Sequence, residues 1–184
     1  MAVESNMLPL GTKLPSFRLE DTVSGRTFAS EELAGRPSVV AFICNHCPYV
    51  KHIQRGLTDF GRYCDEKGVA LVGISSNDPV NYPADAPEQM AIEAKNAGYG
   101  FPYLFDATQD VARAFNAACT PEFYLFDAAG TLVYRGQFDE ARPKNSVPVT
   151  GADLRAAVDA LLAGRAPNPA QKPSIGCSIK WKAG

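Results

Sequence analysis

The chain has 184 residues, of which 46% are hydrophobic, and a formal net charge of −2. This length and apolar content are enough for one hydrophobic core, so we predict one main folded unit. The near-neutral charge, without a basic cluster, argues against nucleic acid as a partner. No export signal and no apolar run of membrane-spanning length is found, so we predict a cytoplasmic protein without a membrane partner.

The cysteines are few and odd in number, and only two of them are close together in the sequence. In a chain without an export signal, this usage favours thiols that stay mostly reduced over a disulfide framework. Catalytic or sensing disulfides are the kind that a reducing compartment tolerates. The five cysteines are Cys44, Cys47, Cys64, Cys119 and Cys177.

The first half of the chain alternates between extended and helical patterns. Residues 16–28 contain two short extended pieces around a Ser-Gly turn, which predicts a β-hairpin. Residues 38–43 form an apolar, β-branched run typical of a strand buried on both faces. From Pro48, apolar residues recur every three or four positions until Gly68, which predicts an amphipathic helix.

The second half continues the alternation and ends in a tail. Strands separated by helices predict an α/β fold with a mixed central sheet flanked by helices. We predict a domain of residues 1–164, followed by a tail of residues 165–184 that carries Cys177 and docks through alternating apolar residues. The predicted elements are a strand at 69–75, a helix from Pro87, a strand at 101–106, a helix from Thr108, a hairpin at 122–136 and a helix at 151–164.

Cys47 is the candidate nucleophile. A cysteine reacts as its thiolate, and the pKa of a thiol is lowered at the N-terminus of a helix. Proline is favoured at the first helical position, so Pro48 makes Cys47 the cap residue, facing unpaired amides and the positive end of the helix dipole. Cys44, three residues earlier, gains less from the dipole and is a candidate resolving thiol if the turn brings the two residues close.

Three segments carry a resemblance to a known family: "CNHCPYVK" from Cys44, "TPEFYLFD" from Thr120 and "IGCSIKW" from Ile175. Together with the order of predicted elements over residues 11–164, they resemble the thioredoxin-like superfamily. Within it they are similar to bacterial thioredoxin-domain proteins of the AhpC/TSA type. The resemblance implies a thioredoxin-like fold with an N-terminal β-hairpin and a docked C-terminal tail.

The resemblance also assigns positions around Cys47. Aligned on Phe42, the thioredoxin pattern places its first catalytic cysteine at Cys47 and its second at Val50, so the usual resolving position is empty. Cys44 is then a displaced partner on the strand side. Ala41 stands where thioredoxins carry a buried acidic residue that accepts a proton.

The same resemblance implies a substrate-binding region. Thr120 and Pro121 resemble the loop with a cis-proline that faces the active cysteine and pairs with the substrate backbone. His46 and Pro48, on either side of Cys47, complete the predicted substrate-binding residues. Cys119, two residues before Pro121, is either a packed thiol or a redox partner.

For two further cysteines, a packing role is the alternative to a redox role. Cys177 on the tail is either a second resolving thiol, able to attack a Cys47 disulfide or sulfenate, or part of a segment that only packs. Cys64 falls on the apolar face of the predicted helix, which favours a buried hydrophobic role.

The leading hypothesis is a thiol–disulfide oxidoreductase in which the Cys47 thiolate attacks a disulfide and Cys44 or Cys177 releases the product. Its partners would be protein or small-molecule disulfides, possible peroxides and a cellular thiol reductant, with no cofactor. One alternative is a peroxiredoxin-like thiol peroxidase, although the PxxxTxxC pattern of that family would need proline at Val40 and threonine at Cys44. The other is a thiolate metal-binding or chaperone protein using Cys44, His46, Cys47 and a remote Cys119 or Cys177; we expect no resident metal.

Overall fold

The computed structural model describes residues 1–184. Its elements form two β-sheets and four α-helices. The strands are β1 (Ala2–Glu4), β2 (Arg18–Asp21), β3 (Thr27–Ala29), β4 (Ser38–Phe42), β5 (Ala70–Ser75), β6 (Tyr103–Phe105), β7 (Cys119–Thr120), β8 (Glu122–Phe126), β9 (Leu132–Gly136) and β10 (Ile175–Ser178). The helices are α1 (Pro48–Lys67), α2 (Pro87–Ala97), α3 (Asp110–Ala114) and α4 (Ala152–Leu162).

The larger sheet has seven strands in the order β3-β2-β6-β5-β4-β8-β9. The β4 strand lies between β5, which is parallel to it, and β8, which is antiparallel. All residues of β4 and β5 are buried, as the apolar runs predict for strands covered on both faces. The predicted α/β fold with a mixed sheet and an N-terminal hairpin is therefore confirmed.

The two faces of β4 contribute to two separate cores. Successive side chains of a strand point to opposite faces of the sheet. Val39 and Ala41 join the core beneath α1, α2 and α4. Val40 and Phe42 join the core on the other face, which includes α3. Because its side chains pack on both faces, β4 is held between two layers of the fold. Cys44, which follows β4 closely, therefore has a defined position.

The long helix α1 begins and ends where the sequence predicts. Pro48 is its first residue, and Gly68 follows its last turn with φ of 71°, a left-handed conformation that glycine adopts without strain. Its buried face contains the residues that recur at three- and four-residue steps, which are Val50, Ile53, Leu57, Phe60 and Cys64. Helix α3 is shorter than predicted, since it spans only Asp110–Ala114. No helix of the structure combines the length and apolar character that crossing a membrane requires.

The smaller sheet joins both ends of the chain, in the order β1-β10-β7. The tail docks, as predicted, and β10 pairs antiparallel with β1 on one side and β7 on the other. Gly176 lies so close to β7 that an added Cβ would be 1.9 Å from the Thr120 carbonyl oxygen. Beyond β10, the Lys180 amide donates to Asn77 Oδ1 at 2.8 Å. The strand β1 has no counterpart in the sequence prediction.

Candidate active site

Cys47 lies at the junction of β4 and α1, in the N-cap position. Its backbone is extended, with φ of −69° and ψ of 122°, and Pro48 begins the helix directly after it. The Cys47 side chain is 0% exposed, whereas Pro48 is exposed. Cys47 therefore occupies the position that the helix signals predict, but it lies beneath the surface of the protein.

Three cysteines converge at this point. The thiols of both Cys44 and Cys177 interact with the Cys47 sulfur and favour its thiolate form. Thr120 contacts two of these cysteines directly. Its hydroxyl lies 3.3 Å from the Cys44 sulfur, and its carbonyl oxygen accepts a hydrogen bond from the Cys47 thiol at 3.3 Å. In the smaller sheet, Thr120 is also the register partner of Cys177. The fold thus brings a sulfur from the C-terminal tail to the strand–helix turn.

The three cysteines differ in the pKa of their thiols because their surroundings differ. The Cys44 hydrogen bond is the main cause that holds the pKa of Cys47 well below its ordinary value, against the effect of burial. The Cys177 thiol and the amides of Val50 and Cys177 act in the same direction. The same hydrogen bond, together with burial, raises the pKa of Cys44 well above its ordinary value. Burial and the bond to Cys47 raise the pKa of Cys177 to about 11. The surroundings therefore favour ionisation of Cys47 over that of Cys44 and Cys177.

The other two cysteines lie outside this cluster. Cys119 is buried on β7, where its sulfur lies 3.8 Å from Glu122 Oε2, and burial raises its pKa. Cys64 lies on the apolar face of α1, where burial raises its pKa to about 12. Both stay protonated at neutral pH, so their environments favour packing roles over reactive ones.

A buried carboxylate, Asp85, fixes the turn between Cys44 and Cys47. One of its oxygens accepts from the amides of Asn45 at 2.7 Å and His46 at 3.2 Å. The other accepts from the Asn77 side chain at 2.8 Å and is paired with His46 Nδ1. Asp85 is fully buried, so these donors compensate for its loss of water.

Asp85 was not predicted as a site residue. It comes from the polar, proline-punctuated loop after β5, and the carboxyl ends of the parallel strands β4 and β5 meet at one edge of the sheet. That loop position is the only sequence signal that points to it. No acidic residue stands at Ala41, but an Asp85 oxygen lies within 4.8 Å of the Cys44 sulfur.

His46 lies at the rim of the site. Its side chain is 27% exposed and stacks on Tyr82, with ring centroids 5.3 Å apart. Cys44, His46 and Asp85 offer three potential metal-ligand atoms within 4.8 Å of one another. Each oxygen of Asp85 already accepts two hydrogen bonds, so a metal ion would have to displace a donor from a fully buried carboxylate.

Thr120 and Pro121 lie beside the sulfur cluster. The Thr120–Pro121 peptide bond is cis, as predicted. Pro121 and Tyr49 line a small groove with Phe138 and Arg142. The backbone edge of β7 at Thr120 is already paired with Cys177 of the tail. Substrate binding by Thr120, Pro121, His46 and Pro48 stays a prediction.

The fold and the sulfur cluster define a thioredoxin-like protein with a buried cysteine at the start of its first long helix. Residues 10–135 match the model of the AhpC/TSA family, and the chain belongs to that family. A search of curated proteins found no match to the sequence. The family and the fold together support a thiol-based redox function.

Solved structures extend the similarity over the whole chain. An uncharacterised conserved protein from Geobacillus kaustophilus is 52% identical, with a TM-score of 0.98, over 100% of this chain and 98% of that protein. A hypothetical protein from Sinorhizobium meliloti is 49% identical, with a TM-score of 0.95, over 98% of this chain and 99% of that one. A thiol:disulfide interchange protein of the thioredoxin family from Chlorobium tepidum is 22% identical, with a TM-score of 0.64, over 84% of this chain and 99% of that one. The last similarity concerns the fold alone.

Proposed function

We propose that the protein is a thiol–disulfide oxidoreductase with Cys47 as its nucleophile. The observation that carries this proposal is the position of Cys47 at the N-cap of α1, where its surroundings, including the Cys44 and Cys177 thiols, lower its pKa. A thiolate is the attacking form in disulfide exchange, and one of low pKa is also a good leaving group. The same centre can therefore be oxidised and reduced in turn.

In the oxidising half of the cycle, the Cys47 thiolate attacks one sulfur of a disulfide. A bond forms between Cys47 and that sulfur, the substrate disulfide breaks, and the departing thiolate takes a proton from solvent. A second protein thiol then attacks Cys47, releases the substrate as a thiol and closes a protein disulfide. The two protein thiols have by then given up two electrons, which a cellular thiol reductant restores.

We propose Cys177 as the resolving thiol, with Cys44 as the alternative. Both interact with the Cys47 sulfur, but only Cys177 is half-buried, while Cys44 is 2% exposed. The resolving thiol must lose its proton before it attacks. The pKa of Cys177 is raised to about 11 and that of Cys44 is also raised, so the greater exposure of Cys177 to solvent and to a base favours it as the resolving thiol.

Two measurements test this proposal. Ultraviolet absorbance of the reduced protein, titrated with acid, should show a thiolate far below pH 8.5 that disappears in Cys47→Ser. Disulfide mapping by mass spectrometry after mild oxidation should find a bond between Cys47 and Cys177. A Cys47 pKa at or above about 8.5 would remove the basis for the nucleophile, and a Cys44–Cys47 bond would transfer the resolving role to Cys44.

A thiol peroxidase is a second candidate, because Cys47 is 0% exposed and a small oxidant reaches it more readily than a bulky disulfide. In that reaction the thiolate attacks hydrogen peroxide, the oxygen–oxygen bond breaks, and Cys47 sulfenate and water form; Cys177 then condenses with the sulfenate to a disulfide. Membership of the AhpC/TSA family fits this chemistry. Rapid mixing with hydrogen peroxide separates the candidates, because a peroxidase consumes it far faster than a free thiol does.

A further inference from the structure

The cysteines of the sulfur cluster differ in their exposure to solvent. Cys177 is the only one of the five cysteines that is not buried, and Cys47 beneath it is 0% exposed. When the two are joined in a disulfide, an external thiol meets the Cys177 sulfur first. Displacement at sulfur requires the attacking thiolate to reach the atom that it attacks, so exposure alone favours attack at Cys177.

The leaving group favours the same direction. Attack at Cys177 expels Cys47, and attack at Cys47 would expel Cys177. The leaving thiolate of lower pKa departs faster, and the pKa of Cys47 is well below its ordinary value while that of Cys177 is raised to about 11. Solvent exposure and the pKa of the leaving thiol therefore both favour attack at the Cys177 sulfur.

The strand that carries Cys177 restricts the size of the external thiol. Both edges of β10 are hydrogen-bonded, to β1 and to β7, so no free edge is available for an extended peptide to pair with. The chain after β10 is also held, since the Lys180 amide donates to Asn77 and the Lys182 amide donates to Gln109 at 3.0 Å. A low-molecular-weight thiol reaches Cys177 without displacing these bonds.

The charge beside Cys177 restricts the chemical class of that thiol. The Lys180 ammonium is held by the hydroxyl of Ser178, the neighbour of Cys177, at 3.1 Å. It lies 5.7 Å from the centroid of the Tyr82 ring, and its charge acts on the Cys177 thiol. No side-chain carboxylate contributes among the main influences on Cys177. The N-terminal ammonium acts on Cys177 in the same direction as Lys180. Once Cys47 is in a disulfide and uncharged, these two positive groups favour an anionic partner.

We propose that Cys177 is the exchange sulfur of the oxidised protein and that its partner is a low-molecular-weight anionic thiol, an inference that rests on the proposed function. The thiolate attacks Cys177, a bond forms between them, the Cys47–Cys177 bond breaks, and its electron pair leaves on Cys47 as thiolate. A second external thiolate then attacks the bound external sulfur and releases Cys177, which takes a proton. Two external thiols are oxidised to one disulfide, and the protein disulfide is reduced.

The experiment uses the full chain, oxidised with diamide, as wild type and as Cys44→Ser, which excludes a Cys44–Cys47 bond. The Cys47–Cys177 disulfide is first verified by mass spectrometry. The protein is then mixed with 3-mercaptopropionate, quenched with acid at early times and alkylated with iodoacetamide. The expected result is the mercaptopropionate adduct on the peptide of Cys177 and the alkyl group on Cys47.

Rates with anionic 3-mercaptopropionate, neutral 2-mercaptoethanol and cationic cysteamine, compared per thiolate, test the partner class. We expect the anion to react about threefold faster than the neutral thiol, as one unit charge a few ångströms away across water predicts, and the cation to react more slowly. Lys180→Met should reduce the preference, because only the N-terminal ammonium then acts on Cys177, and high salt should weaken it further. Lys144→Met is the matched control, because Lys144 is an exposed lysine elsewhere on the surface.

Two results would overturn the inference while leaving the proposed function intact: an early adduct on Cys47, or equal rates for the three thiols in wild type and Lys180→Met. If oxidation produces no Cys47–Cys177 disulfide in either protein, both the inference and the proposed resolving role of Cys177 are wrong.

Discussion

Cys44 and Cys177 contact the same sulfur from two different kinds of structure. Cys44 belongs to the turn between β4 and α1, is 2% exposed, and depends on a turn that Asp85 holds through backbone amides. Cys177 belongs to a strand from the far end of the chain, is half-buried, and depends on pairing between β10 and β7. One thiol is placed by local geometry and the other by a long-range contact.

The comparison teaches that hydrogen bonding to the nucleophile does not by itself assign a resolving thiol. Both thiols stabilise the Cys47 thiolate by donating to it. They differ in their exposure to solvent and in the structure that holds each of them. Cys44 is held by the turn between β4 and α1, and Cys177 is held by the pairing of β10 with β7. A variant that loosens one support should therefore leave the other largely intact, and this independence can be tested.

The largest effect should follow removal of the sulfur that both thiols contact. Cys47→Ser should lower the rate of disulfide reduction on the order of a thousandfold or more, because no thiolate of lowered pKa remains. A stopped-flow assay with a small disulfide measures this. Cys64→Ser, on the same helix but outside the cluster, should retain most of the rate. Comparable rates for the two variants would show that Cys47 is not the nucleophile.

The next effect should separate Cys177 from Cys44. In Gly176→Ala the new Cβ would meet the Thr120 carbonyl oxygen at 1.9 Å, so β10 must shift from β7. We expect a loss of about 1–3 kcal/mol in the free energy of unfolding and faster alkylation of Cys47, about tenfold for each 1.4 kcal/mol lost in docking of the strand. Urea unfolding and timed alkylation with iodoacetamide measure these quantities.

Gly100→Ala provides the control for this variant, since a Cβ at Gly100 meets nothing within 4 Å. It should leave both the free energy of unfolding and the alkylation rate close to those of the wild type. Unchanged alkylation of Cys47 in Gly176→Ala would mean that β10 does not restrict access to the nucleophile.

A comparable variant tests the turn that holds Cys44. Asp85→Asn replaces a carboxylate oxygen by an amide that cannot accept, which leaves buried donors without a partner and should cost about 1–3 kcal/mol in the free energy of unfolding. The Asp85 charge also contributes to raising the pKa of Cys44, so that pKa should fall in the variant. Urea unfolding and alkylation of Cys44 against pH measure the two effects.

For comparison, Asp59→Asn removes a half-exposed carboxylate that is paired with Arg62, and it should change the free energy of unfolding by no more than about 0.5 kcal/mol. If Asp85→Asn is equally mild, the buried carboxylate does not support the turn.

The smallest effect concerns pH. The pKa of Cys47 is lowered in the folded protein, so its ionisation contributes stability that is fully present above the unfolded pKa of about 8.5 and is lost as pH falls through the folded pKa. The difference in the free energy of unfolding between reduced wild type and Cys47→Ser should therefore grow between pH 7 and 8, by at most about 1.4 kcal/mol. Urea unfolding at fixed reductant concentration measures it, and a flat difference would contradict a lowered pKa.

Local signals were enough to predict much of this molecule. The β-branched run of β4, Pro48 at the first position of α1 and the Gly68 cap each act on neighbouring residues, so the position of Cys47 could be inferred before any contact was known. The hairpin of β8 and β9 was predicted in the same way. Asp85 could not be inferred in this way, because its role depends on which strand ends meet at one edge of the sheet.

The sequence by itself determined that Cys47 stands at the start of a helix, as a candidate nucleophile, and that two other thiols are candidates for its partner. The tertiary structure alone decided that the tail becomes β10, between β1 and β7, and that Thr120 contacts Cys44, Cys47 and Cys177 together. The physical reason is that helix and strand starts depend on adjacent residues. Thiol acidity and access depend on burial and hydrogen bonds from segments far apart in the chain.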